Sequence, residues 1–336
     1  MAFSELLRKN LVQAKVGGII YPYHRFRHKR RATLFFEELF ARFVLECEKN
    51  GAESELIEIG RKWMFLCFHE LVPETIKKIP AQFLLNNILR RFWHNSGLMD
   101  DFHIEKNDDI IKINTKNEGV TRYIGPNGLM VGFYIGVINA LFHSSAQPLK
   151  IRQEKESCQY IFKLSNEPFF VDGKSKELYR RLNEIASIKG YTLKDSLREK
   201  TFTIKENRIY FRGKSISPVE NTLFHLVSNS NLFPEKISEV SYSFFNEIIK
   251  EDSTKEGKIS LLKNIFQVMG WGIINVVIKE KKIVIEIKNP PYGLTITDNW
   301  EYIIRTFLGY LWLFDRKLKM SNINQTGGCV SAEYSH

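Results

Sequence analysis

The sequence predicts an α+β protein of two tandem copies, each a helix group beside a small antiparallel sheet, with the copies packed as a pseudo-dimer. Three observations carry this. A glycine turn occurs at Ser96-Gly97-Leu98 and again at Gly270-Trp271-Gly272. An apolar helix pattern with an internal glycine occurs around Gly136 and again around Gly309. Gly97 and Gly270 lie 173 residues apart, as do Gly136 and Gly309. A fixed offset of this kind is the mark of a duplicated unit. The 336 residues are enough for two cores, divided as 1–166 and 167–336.

Each element has a local reason. Met1–Gly18 reads as a short amphipathic helix, and Ala32–Lys49 as a helix ended by Asn50-Gly51. Glu53–Leu71 is a second helix stopped by Pro73, and Thr75–Trp93 a third with a kink or restart at Pro80. Asp101–Asn117 alternates around Asn107-Asp108-Asp109, a hairpin signal. Leu129–His143 is an apolar helix, and Ile151–Leu164 a strand pair around Glu154-Lys155-Glu156. Ser175–Ser187 reads as a charged helix bridging the halves, and Phe202–Phe211 as a strand pair. Pro218–Ser228, Pro234–Lys250 and Ile259–Met269 are helical, the last leading into the second glycine turn. Extended runs through Ile283–Ile287, a helix over Trp300–Phe314 and a last strand near Cys329–Tyr334 complete the second copy.

Composition narrows the function classes. Apolar residues make up 43% and charged residues 26%, values of an ordinary globular protein. No apolar run is long enough to span a bilayer, and Met1–Ile20 lacks the apolar core of a signal peptide, so a cytoplasmic location is expected. Cys47, Cys67, Cys158 and Cys329 form no CxxC pair and are expected as reduced thiols. No phosphate loop, dinucleotide-binding glycine fingerprint, nucleophile elbow or HExxH motif is present, so no catalytic residue is assigned. The net charge of +11 favours anionic partners. The densest cationic run is Arg25-Phe26-Arg27-His28-Lys29-Arg30-Arg31, where Arg25, Arg27, Lys29, Arg30 and Arg31 form a candidate surface for nucleic acid or an anionic membrane.

Gly270-Trp271-Gly272, two strands ending at Asn289-Pro290, and an apolar helix carrying Gly309 resemble the 4-vinyl-reductase-like domain of the TRAPP-component fold. The first half resembles a diverged copy, with Ser96-Gly97-Leu98, Gly136 and the strand Ser157–Phe162 in the matching places. The resemblance implies a ligand-binding or scaffolding domain that dimerises and holds a small apolar molecule between helices and sheet. The zinc cluster of the phenol-sensing branch is not matched. Cys158 would correspond to its last cysteine but the upstream cysteines are missing, so no metal and no cofactor are expected.

The expected function is a non-catalytic sensor, carrier or adaptor binding a small hydrophobic ligand. Its cavity is expected in the second half, walled by part of the Trp300–Phe314 helix and by the strands Ile273–Ile278 and Ile283–Ile287, with Trp271, Phe307, Tyr310, Trp312 and Phe314 as the ligand-binding residues. Core packing alone would also account for these rings. Two alternatives stay open: a nucleic-acid-associated regulator using residues 25–31, and an enzyme or carrier of tetrapyrrole metabolism. A protein partner or homodimer is the other expected association.

Overall fold

The computed structural model describes residues 13–15, 18–21, 30–71, 79–165, 190–249, 254–279, 282–291, 300–326 and 328–336. In the first half, strands β1 (Gln13–Lys15), β2 (Gly18–Tyr21) and β3 (Arg30–Phe36) lead into helices α1 (Glu37–Lys49) and α2 (Glu53–Leu71). A third helical run comprises α3 (Ala81–Phe83), a π-helical stretch (Leu84–Leu89) and α4 (Arg90–Asn95). The hairpin β4 (Asp101–Asn107) and β5 (Ile110–Lys116), helices α5 (Thr121–Ile124) and α6 (Gly128–Phe142), and strands β6 (Ser145–Gln153) and β7 (Ser157–Ser165) follow.

The second half repeats this order. After α7 (Leu193–Arg198) come β8 (Thr203–Lys205), β9 (Arg208–Phe211) and β10 (Lys214–Glu220), then α8 (Asn221–Ser230), α9 (Pro234–Ile248) and α10 (Lys255–Val268). The hairpin β11 (Ile273–Lys279) and β12 (Lys282–Lys288), helix α11 (Glu301–Leu311), and strands β13 (Lys319–Thr326) and β14 (Cys329–Ser335) close the chain. The fold is α+β: β4-β5-β7-β6 and β11-β12-β14-β13 are two antiparallel sheets of matching order, one in each half.

A third sheet, ordered β1-β2-β3-β10-β9-β8, joins the halves. Its central pairing is antiparallel, with Leu34 opposite Pro218. On its other side β2 pairs only with Arg30–Ala32, so the β3 edge at Leu34 is open to the second half. There the Leu34 N–H donates to the Met269 carbonyl at 2.8 Å. The Leu34 carbonyl accepts from Trp271 Nε1 at 2.8 Å. The second glycine turn thus satisfies backbone groups of the first half that burial would otherwise leave orphaned.

The helix pairs α2–α6 and α9–α11 cover the two four-stranded sheets, and glycine sets their closeness. A Cβ on Gly136 would lie 2.4 Å from Arg61 O and 2.9 Å from Met64 Cβ; one on Gly309 would lie 2.4 Å from Ser238 O and 2.5 Å from Ser241 Cβ. The contacted residues have the same i, i+3 spacing on α2 and α9. In the first half Gly128, Gly132 and Gly136 repeat every four residues along one face of α6, so a backbone lies against a backbone over two turns.

Ionic groups tie the halves at the centre. Glu37, 2% exposed, accepts from Arg122, Tyr123, Ser215 and Ser217. Arg42 of α1 bonds Glu247 of α9 at 2.6 and 2.8 Å.

Several elements differ from expectation. Gln13–Lys15 and Gly18 are strand rather than part of an N-terminal helix. Ala32–Phe36 and Pro218–Glu220 are strand, and helix begins only at Glu37 and Asn221. Residues 32–36 are all buried, so the run is apolar almost throughout, and periodicity cannot separate such a strand from a buried helix. The polar tail Ser321–His336 holds two strands, since one face of this sheet meets solvent. The expected bridge helix Ser175–Ser187 lies outside the described residues. No helix among the described residues is long and apolar enough to cross a membrane.

Candidate functional site

A cleft of about 290 Å³ opens in the second half between the start of α10, the end of β11 with the start of β12, and the segment after α11. Thr254 caps α10, its Oγ accepting from Gly257 N at 3.1 Å. The capped first turn sets Lys255 and Lys258, three residues apart, on one face toward the cleft. The hairpin supplies Ile278, Lys279, Lys282 and Ile283, and Phe314, Asp315, Leu318 and His336 complete the lining.

The lining combines apolar and cationic residues. Ile283 and Leu318 are buried and Phe314 half-buried. Lys282 bonds Glu333 at 3.0 and 3.1 Å. His336 lies 3.3 Å from Asp315. Lys255, Lys258 and Lys279 enter no ion pair among the described residues. A cavity of this kind accepts an apolar body that ends in an anionic group.

Of the five aromatic residues expected to bind ligand, Phe314 alone lines this cleft. The structure places Trp271, Phe307 and Tyr310 in the core, each at most 1% exposed. Trp271 and Phe307 pack on Phe266 with ring centroids 4.8 and 4.7 Å away. The Tyr310 hydroxyl donates to Lys258 O at 2.7 Å, fixing the turn that carries a cleft lysine. Trp312 Nε1 donates to Leu318 O at 2.8 Å, and Arg316 stacks on its ring at 4.5 Å. These two aromatics therefore position cleft residues.

Of the cationic run, Arg25, Arg27 and Lys29 lie outside the described residues. Arg30 and Arg31 open β3, opposite Tyr21 and Ile20.

Sequence reasoning missed a second buried cluster, in the first half. Glu118 is fully buried and accepts from Thr115 and Thr121 at 2.8 Å, from Tyr134 at 2.5 Å, and from Tyr160. Four hydroxyl donors thus hold a carboxylate that has no cationic partner among the described residues. Cys158 packs beside it, and burial, then the Glu118 charge, push its thiol up to about 12. At the matching register the second half has Pro290, Phe307 and Ala332 in place of Glu118, Tyr134 and Tyr160. That joint replacement is the signal the sequence contained. The cluster ties the β5–α5 turn to α6 and β7.

Comparison with protein families, characterised proteins and solved structures finds no match to this chain.

Proposed function

We propose that this chain is a non-catalytic binding protein, a sensor, carrier or adaptor, whose working site is the second-half cleft. Its ligand is a small molecule with an apolar body and an acidic head. The observation that carries the reading is the cleft's lining, in which three cations that enter no ion pair among the described residues share the cleft with Ile278, Ile283, Phe314 and Leu318. Desolvated apolar surface supplies affinity and a few placed charges supply orientation, the ordinary division in ligand sites.

We also read the chain as an intramolecular counterpart of a homodimer of the 4-vinyl-reductase-like kind. The matching sheet orders and the Leu34–Pro218 pairing support this. The core position of Trp271, Phe307 and Tyr310 favours the cleft over an internal cavity.

Titration with dodecanoate, followed by calorimetry, tests the cleft. Binding should weaken at least tenfold in Lys255→Glu/Lys258→Glu, because two attractive charges become repulsive. It should also weaken in Phe314→Ala. Equal binding by the charge-reversed variant would move the site elsewhere, and absence of binding to the wild type would remove the reading.

A further inference from the structure

The cleft lies beside an edge strand that the two halves treat differently. In the first half, β4 is the edge, and Asn86 of the π-helical stretch caps it: the Ile104 N–H donates to Asn86 Oδ1 and Asn86 Nδ2 donates to the Ile104 carbonyl, both at 2.9 Å. A side-chain carboxamide thus takes the place of a neighbouring strand. The ladder fixes what this means in the second half. Ile104 stands opposite Ile113, and 172 residues later Val276 stands opposite Ile285. The outward backbone groups of β11 are therefore those of Val276 and, two residues on, Ile278.

No side chain among the described residues caps these groups. The corresponding part of α10, around residue 259, is regular α-helix and presents Lys258 to the cleft. The side chains diverge in the same sense. Lys106, at the position matching Ile278, is a solvated lysine, the usual protection of a sheet edge. Ile278 is 44% exposed and its neighbour Val277 is 37% exposed. One half carries a capped edge; the other carries an edge that no side chain among the described residues caps, with exposed apolar residues and the lysines of the cleft beside it.

We infer that β11 accepts an extended acidic peptide as an added strand, a proposal that rests on the cleft being the working site. The peptide backbone pairs with the outward N–H and carbonyl groups of Val276 and Ile278. Its apolar side chains cover Ile278, and its carboxylates meet Lys255, Lys258 and Lys279. Backbone pairing supplies affinity and alternate side chains supply specificity, as in strand addition generally.

The probe is a fluorescein-labelled decapeptide of alternating Glu and Val, followed by anisotropy, with the same peptide N-methylated at every second residue along one edge. The wild type should bind the unmodified peptide, and N-methylation should weaken it at least tenfold. Ile278→Lys, which copies the blocked edge of the first half, should also weaken binding at least tenfold. Charge attraction alone predicts the opposite, since the variant is more cationic. Ile278 is exposed, so the variant should keep the wild-type circular dichroism. Equal binding of the N-methylated peptide, or tighter binding by Ile278→Lys, would overturn strand addition. Dodecanoate binding without peptide binding would overturn it and leave the cleft reading intact. Binding of neither probe would remove both.

Discussion

Replacing Gly132 by alanine sets two effects against each other, and the structure decides between them. Alanine in a helix interior is favoured over glycine by about 1 kcal/mol, so an isolated α6 would gain. In the folded protein the new Cβ would lie 2.0 Å from Ile57 O, 2.7 Å from Ile57 C and 2.9 Å from Ile57 Cα. All three are backbone atoms, so no side chain can rotate away. Ordinary contact begins at 3.4 Å, so α2 and α6 must separate locally by about 1.4 Å. A gap of roughly 0.5–1 Å already forfeits a quarter to a half of the dispersion attraction at each contact. Overpacking costs typically about 1–3 kcal/mol. The upper end applies here because Gly60, Gly128 and Gly136 share the seam. Subtracting the helix gain leaves a net loss of about 2 kcal/mol. Urea unfolding followed by circular dichroism measures it. Gly119→Ala is the control. A Cβ there meets nothing closer than 3.6 Å and its φ lies outside the left-handed region, so the variant should be neutral or gain about 0.4–1 kcal/mol. A Gly132→Ala protein as stable as the wild type, with the control behaving as stated, would refute the account of the seam.

Three further outcomes follow from buried polar groups. Arg122→Ala leaves Glu37 buried without its cation, and should cost about 3–5 kcal/mol in the same unfolding assay. Trp271→Phe keeps an aromatic ring but a smaller one, and removes the donor to Leu34 O; it should cost at least about 1–3 kcal/mol, the penalty of an orphaned buried carbonyl before any loss of packing. Burial pushes the Cys47 and Cys158 thiols up to about 12 from an ordinary 9.0. Above pH 9 the unfolded chain therefore loses protons that the folded chain keeps, so stability is full below pH 9 and falls between pH 9 and about 12. Urea midpoints at pH 8, 9, 10 and 11 should show a decline that is shallower in Cys47→Ala/Cys158→Ala than in the wild type.

The two matching sheets were legible because their signals are written in local chemistry. A glycine turn, a hairpin signal at Asn107-Asp108-Asp109 and a glycine inside an apolar helix each need only neighbouring residues to be recognised. The close approach at Gly136 and Gly309 was legible for the same reason: a helix glycine is costly unless something presses on it. The strand character of Ala32–Phe36 was not, since a run buried on both faces carries no alternation. The candidate site was legible in Phe314 and in the strand ends Ile278 and Ile283, but not in the other four aromatics. Aromatic density marks a buried region, but whether rings line a space or fill it depends on how Phe224, Phe245, Phe266 and Trp271 meet across more than forty residues of chain.

The sequence by itself determined the α+β class and the glycines of the two helix seams, because periodicity, turn chemistry and glycine spacing act within a few residues. Only the tertiary structure decided the rest. Pairing of β3 with β10 brought Trp271 onto Leu34. Folding of residues 115–160 converged four hydroxyls on Glu118. The edge position of β11 turned Ile278 from an apparent core residue into an exposed one. Each of these depends on which strand ends beside which helix, a long-range choice made by total burial and hydrogen-bond satisfaction rather than by any local pattern.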